Sequence, residues 1–130
     1  MIILALRTDK PEAELALYDG EQVLTCISWQ AHRQLAETLH SCIKTLLESH
    51  DFAWSNIEGI VAYQGPGSFT GLRIGLSVAN TLAYGLEVPI VGTTGDEWAE
   101  KGVSQLLSGQ NQKQVLPKYS GEPHITKPRK

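Results

Sequence analysis

The stretch from Tyr63 to Leu76, YQGPGSFTGLRIGL, constrains this chain more than any other. It begins where a β-branched apolar run, residues 57–63, ends, and it passes without a break into an amphipathic run. Such a run before glycine and proline predicts a central strand. Gly65, Pro66 and Gly67 then predict a turn, and residues 70–86 a helix. A strand, a glycine turn and a helix in that order belong to an α/β sheet.

The same geometry can serve a phosphate. A helix N-terminus presents unpaired N–H groups and a partial positive charge. Ser68 and Thr70 could add hydroxyls and Arg73 a guanidinium fork. The spacing departs from the familiar phosphate motifs, however. In a Walker A loop Lys and Ser or Thr follow the last glycine, and here Leu72 and Arg73 follow Gly71. In the dinucleotide fingerprint the third glycine comes one residue earlier than Gly71 does. A structural turn with glycines at positive φ, capped by Ser68 or Thr70, is the competing reading.

Around this centre the pattern is regular. Residues 2–6 read as a buried strand. Residues 14–18 read as a second and residues 22–29 as a third, with Asp19-Gly20 a hairpin signal between them. Residues 32–49 carry Leu35, Leu39, Cys42, Ile43, Leu46 and Leu47 at spacings of three and four, which predicts a helix. Residues 51–56 read as a connection and residues 88–91 as a further strand. A short helix carrying Asp96, Glu97 and Trp98 follows Thr94 or Gly95. After Gly102 the chain turns polar and then proline-rich. Residues 1–102 therefore read as one lobe, and residues 103–130 as a linker and an extended C-terminal tail. The order β-β-β-α-β-α-β predicts a mixed sheet covered by helices. It matches, by topology, one actin-like, ribonuclease-H-like lobe of the kind that actin, sugar kinases and heat-shock chaperones share.

Composition narrows the function classes. A formal net charge of -3 argues against a stand-alone nucleic-acid binder, apart from Lys118, Lys127, Arg129 and Lys130 near the end. No apolar run is long enough to span a membrane, and the opening MIILALRTDK is too short and too soon charged for a signal peptide. Cys26 and Cys42 lack metal spacing and read as small buried hydrophobes in a reducing cytoplasm. His32, His40, His50 and His124 show no zinc spacing. Asp9, shortly after the first strand, could hold a metal or simply make a turn before Pro11.

One further pattern lies on the second helix. Gly71, Gly75, Ala79 and Ala83 are four apart and form a stripe of small residues. The stripe fits close packing inside the chain, or the approach of a helix from a second chain.

The string GPGSFTGLRIGL resembles the signature of the TsaB (YeaZ) family. Members are the dimerization subunit of the bacterial machinery that makes threonylcarbamoyladenosine on tRNA. MIILAL resembles the family's first strand, and AHRQLAETLHSCIKTLLESH its first helix. IEGIVAYQGPGSFTGLRIGLSVANTLAYGLEVPIVGTT resembles its centre, and VLPKYSGEPHITKPRK its ending. Two departures stand out. Family members usually carry a second domain where only residues 103–114 stand here, so a short form is expected. Arg7-Thr8-Asp9 stands where the superfamily commonly has Asp-Thr-Ser, which speaks against nucleotide hydrolysis by this chain.

The resemblance implies a non-catalytic, cytoplasmic partner of TsaD, the subunit that transfers the threonylcarbamoyl group. The ATPase TsaE joins the pair, and tRNA is met only through the complex. It implies an interface on the two long helices, at His32, Leu35, Leu39, Gly71, Leu72, Gly75, Ala79 and Leu82. It implies no metal and no cofactor required by this chain, with ATP or ADP at the boundary between partners. Gly67, Ser68, Thr70 and Arg73 are the loop that would meet such a shared ligand. A self-associating homodimer and a small nucleotide-binding domain are the alternatives.

Overall fold

Three antiparallel strands open the chain: β1 (Ile2–Arg7), β2 (Glu12–Asp19) and β3 (Gln22–Gln30). The turn between the last two uses Gly20 at φ +61°, a conformation that glycine enters at no steric cost. β1 then pairs in parallel with β4 (Gly59–Tyr63), and β4 with β5 (Ile90–Thr93). The result is a mixed five-stranded sheet in the order β3-β2-β1-β4-β5. Parallel neighbours need crossovers, which α1 (Leu35–Glu48) and α2 (Phe69–Leu86) supply. The computed structural model describes residues 1–31, 34–67 and 69–118, the side chain of Phe69 excepted.

Alternation along the strands separates the two faces. Gly59 and Val61 lie against α3 (Trp98–Leu107), and Tyr63 meets Trp98 edge-on with ring centroids 6.1 Å apart. Gly102 of α3 has no room for a Cβ because Val61 fills the space. On the other face α1 and α2 pack side by side. Leu35, Leu39, Ile43, Leu46 and Leu47 of α1 join Leu4, Leu6, Leu15 and Leu17 in one buried core.

Residues 111–118 close the fifth strand's outer side. The Gln112 N–H donates to the Ile90 carbonyl at 2.8 Å, and the Gly92 N–H donates to Gln112 Oε1 at 3.0 Å. Asn80 of α2 clamps Val115 from both directions: Nδ2 donates to its carbonyl and Oδ1 accepts its N–H, each at 2.9 Å. Lys118 N–H donates to the Gln64 carbonyl at 2.8 Å.

Three expectations change. α3 continues through Gly102 to Leu107, so the change of character expected after Gly102 begins near Ser108. Residues 54–56 of the expected connection form a short 3-10 turn, with Asn56 Oδ1 accepting the Ala53 N–H at 2.7 Å. Cys26 is exposed rather than buried, because β3 is an edge strand with little packed over it, while Cys42 is half-buried on α1. Burial pushes the Cys42 thiol up from 9.0.

Candidate functional site

The ends of β1 and β4 meet the start of α2, and the glycines there make room for the chain itself. A Cβ on Gly67 would collide with Asp9, and one on Gly65 with the Lys118 carbonyl. Gly65 stands at φ +119°, a region L side chains rarely enter. Tyr63 Oη donates to the Pro66 carbonyl at 3.1 Å across the turn.

Arg7 and Asp9 occupy each other. Arg7 Nε donates to Asp9 Oδ1 at 2.7 Å and Nη2 donates to Oδ2 at 3.3 Å, a two-pronged ion pair with the carboxylate almost fully covered. The guanidinium also lies 3.9 Å from the Tyr63 ring centroid, a favourable cation–π geometry. The hydrogen bond to Asp9 raises the Arg7 pKa above its ordinary value. A carboxylate held this way does not fit the role of a ligand to a metal on a nucleotide. Among the described residues no cluster of His, Cys, Asp and Glu has metal-binding form.

The small-residue stripe turns inward. The Thr8 carbonyl stands where a Cβ of Gly71 would be, and Thr8 Oγ1 where one of Gly75 would be. That hydroxyl donates to the Gly71 carbonyl at 2.8 Å. Ala79 is 0% exposed and Ala83 4%, so the stripe seats α2 tightly on the end of β1 and on the core. These contacts account for much of the expected interface within the chain itself. Leu35, Leu39, Gly71, Leu72, Gly75 and Ala79 serve the chain's own packing, and Leu82 is half-buried against the core. His32 and Ser68 lie outside the described residues.

The opposite side of α2 is the open one. Thr70, Arg73, Ser77 and Thr81 are exposed, and Ile74 and Val78 are half-buried. Thr70, Arg73, Ile74, Ser77 and Val78 line a groove of about 530 Å³ with Ala36 of α1. The structure thus brings Thr70 and Arg73 together on the outer helical face, while Gly67 turns toward Asp9. Ile74, Ser77 and Val78 escaped the sequence reading. A signal was present: the 18 residues of α2 hold one charged side chain, Arg73, whereas a solvated helix face normally carries several.

Similarity to known proteins fits this geometry. The sequence model of the family described as TsaD, tRNA N6-adenosine threonylcarbamoyltransferase, matches residues 29–98, more than half of the chain. The TsaB threonylcarbamoyladenosine biosynthesis protein of Bacillus subtilis is 33% identical over 90 residues, covering 69% of this chain and 39% of its own length. The solved structure of YeaZ from Pseudomonas aeruginosa superposes with a TM-score of 0.66 at 30% identity, over 72% of this chain and 43% of that one. The chain belongs to the TsaB (YeaZ) branch of this family.

The tRNA N6-adenosine threonylcarbamoyltransferase of Geotalea daltonii is also similar, 44% identical over 62 residues, which is 48% of this chain and 18% of that protein. The lobe has the actin-like, ribonuclease-H-like fold. The chain spans less than half the length of each of these relatives. Among the described residues no helix is long and apolar enough to cross a membrane.

Proposed function

We propose that this chain is a non-catalytic partner subunit in tRNA threonylcarbamoyladenosine biosynthesis, pairing with a TsaD-class protein through the outer face of α1 and α2. The observation that carries this reading is the sparsely charged open face of α2, with Ile74 and Val78 half-buried beside Ala36. A face of that composition is suited to a second helix pair rather than to water. Membership of the family supports the assignment to the pathway, and a TsaD homologue of the same fold is the natural counterpart to such a face. TsaE and tRNA are reached through that partner.

The Arg7–Asp9 pair supports the non-catalytic part. The chain holds Asp9, beside the turn, in an ion pair, which leaves that carboxylate poorly placed to hold a metal on a nucleotide; any ATP or ADP would sit at the boundary with the partner.

Light scattering after size exclusion, with the chain alone and with the TsaD of the same organism, tests the reading. A stable mixed complex is expected, and Ser77→Arg should abolish it while circular dichroism stays unchanged, because Ser77 is exposed and lines the groove. A homodimer that ignores TsaD, or a mixed complex indifferent to Ser77→Arg, would overturn it.

A further inference from the structure

A second open surface lies on the α3 side of the sheet. β2 carries Glu12, Glu14 and Tyr18 on that side, and Asp96, Trp98 and Glu100 stand opposite them at the start of α3. A cavity of about 350 Å³ separates the two walls, and it shares no residue with the α1–α2 groove. Glu14 lies opposite Arg7 in the register of β1 and β2, so the cavity sits at the end of the sheet where β1 and β4 finish.

Its walls are acidic and its floor carries an unused hydroxyl. Lys10 stands 3.5 Å from Glu14. Among the described residues Glu12, Asp96 and Glu100 pair with no cation. Tyr18 is only 6% exposed, yet it lines the cavity. Burial first, and then Glu100 on the facing wall, hold its phenol above the ordinary pKa, so the hydroxyl is neutral. Among the described residues the Tyr63 hydroxyl has a hydrogen-bond partner and the Tyr18 hydroxyl has none. A polar group this far buried normally finds a partner. An acceptor oxygen ringed by carboxylates suits an ammonium or guanidinium group, whose N–H donors bond most strongly to charged oxygens.

The chain itself supplies such groups within reach. Lys118, the last described residue, donates its N–H to the Gln64 carbonyl just after β4, at the same end of the sheet. Only β1 separates β4 from β2, a distance of about 10 Å across the sheet. Extended chain from Lys118 to Lys127 spans up to about 30 Å. Beyond Lys118 the sequence holds Lys127, Arg129 and Lys130 against a single acid, Glu122. Reach and charge complementarity both single out this segment. We propose that the cavity seats the chain's own basic end, with a side chain from Lys127–Lys130 donating to Tyr18 Oη and to the surrounding carboxylates. This contact does not depend on the pairing proposed above.

Nuclear magnetic resonance of the full chain tests this, by comparing wild-type amide shifts with those of a variant carrying Lys127→Gln, Arg129→Gln and Lys130→Gln. Differences centred on Tyr18, Ser28, Trp98 and Glu100, around the cavity, are expected. In about 1 M salt, where the screening length falls to about 3 Å, the wild-type spectrum should converge on that of the variant. A synthetic peptide of residues 119–130, titrated into the variant, should restore the wild-type shifts and saturate. Adding Glu12→Gln and Glu100→Gln should weaken that binding about tenfold or more, the worth of one charge-assisted hydrogen bond. Tyr18→Phe, which keeps the ring and removes the hydroxyl, should weaken it as well. Identical spectra in wild type and variant, differences centred on another surface, or peptide binding indifferent to the glutamate variants would overturn the seat. Shifts that grow with protein concentration would give the cavity to the end of a second chain and overturn the intramolecular contact.

Discussion

The two sides of α2 are built from nearly the same materials and do opposite work. The inner side carries Gly71, Leu72, Gly75, Leu76, Ala79 and Ala83, and the outer side Thr70, Ile74, Ser77, Val78 and Thr81. Both mix small and apolar residues, and Arg73 on the outer side is the one charge between them. The inner glycines let β1 come so close that Thr8 replaces a side chain, while the outer side is only partly covered, with Ile74 and Val78 half-buried and an open groove beside Ala36. A helix with two such faces is buried once by its own fold and is left with a second surface to bury.

The largest expected effect breaks the inner side. Gly75→Leu must displace Thr8, whose hydroxyl and Cβ occupy the space and whose hydrogen bond to Gly71 holds the helix start. A destabilisation of about 3 kcal/mol or more is expected, since overpacking here meets a side chain rooted in backbone with no slack. Urea denaturation measures it. If the variant kept wild-type stability and lost only association, the stripe would face a partner and the assignment of the two sides would be reversed.

Next in size is the clamp between α2 and the C-terminal segment. Asn80→Ala removes two hydrogen bonds and leaves the Val115 N–H and carbonyl without partners. A loss of about 1–3 kcal/mol is expected, with faster amide exchange at Val115 and Gln112 than elsewhere in the sheet. Uniform exchange rates across the chain would mean that residues 111–118 hold through other contacts. Ser77→Arg on the outer side is smaller again. Its stability should stay within about 0.5 kcal/mol of wild type, as exposed substitutions do, although association is lost.

The sequence made the sheet and the crossover helices legible because their periods are clean. Alternation along 14–18 and 22–29, the leucine spacing on α1 and the glycine turn after β4 each named an element. Boundaries shifted where tertiary contact decides: Gly102 does not end α3, because Val61 lies beneath it and a glycine is what lets the helix run on. The direction of the small-residue stripe was not legible. Spacing places Gly71, Gly75 and Ala79 on one side of a helix but cannot say whether Thr8 or a second chain stands opposite. The Arg7–Asp9 pair was hidden for the same reason. Two residues apart on a strand end, they meet only because the chain bends after β1, beside Tyr63 from a distant strand. The scarcity of charge on α2, with Arg73 alone among its 18 residues, was legible in the sequence, but which of its sides stays open was not.

The smallest effect carries the same contrast to the two cysteines. Cys42 sits half-buried at the edge of the α1 core, and Cys26 lies exposed on the edge strand β3. Iodoacetamide at neutral pH should therefore modify Cys26 first, with Cys42 lagging because burial both shields its thiol and disfavours the thiolate. The sign of the accompanying pH effect follows. Desolvation raises the Cys42 pKa from 9.0 in the folded chain. The neutral thiol is thus favoured by folding, and its contribution is complete below 9.0 and lost as pH rises through the higher folded value. Tyr18, raised from 10.0 by its own burial, adds a loss of the same sign further up. Cys42→Ser should remove the lower part of that alkaline decline and leave the upper part. Equal alkylation rates at the two thiols, or an alkaline decline that Cys42→Ser leaves intact, would place Cys42 outside the α1 core and move the boundary between the helix pair's inner and outer sides.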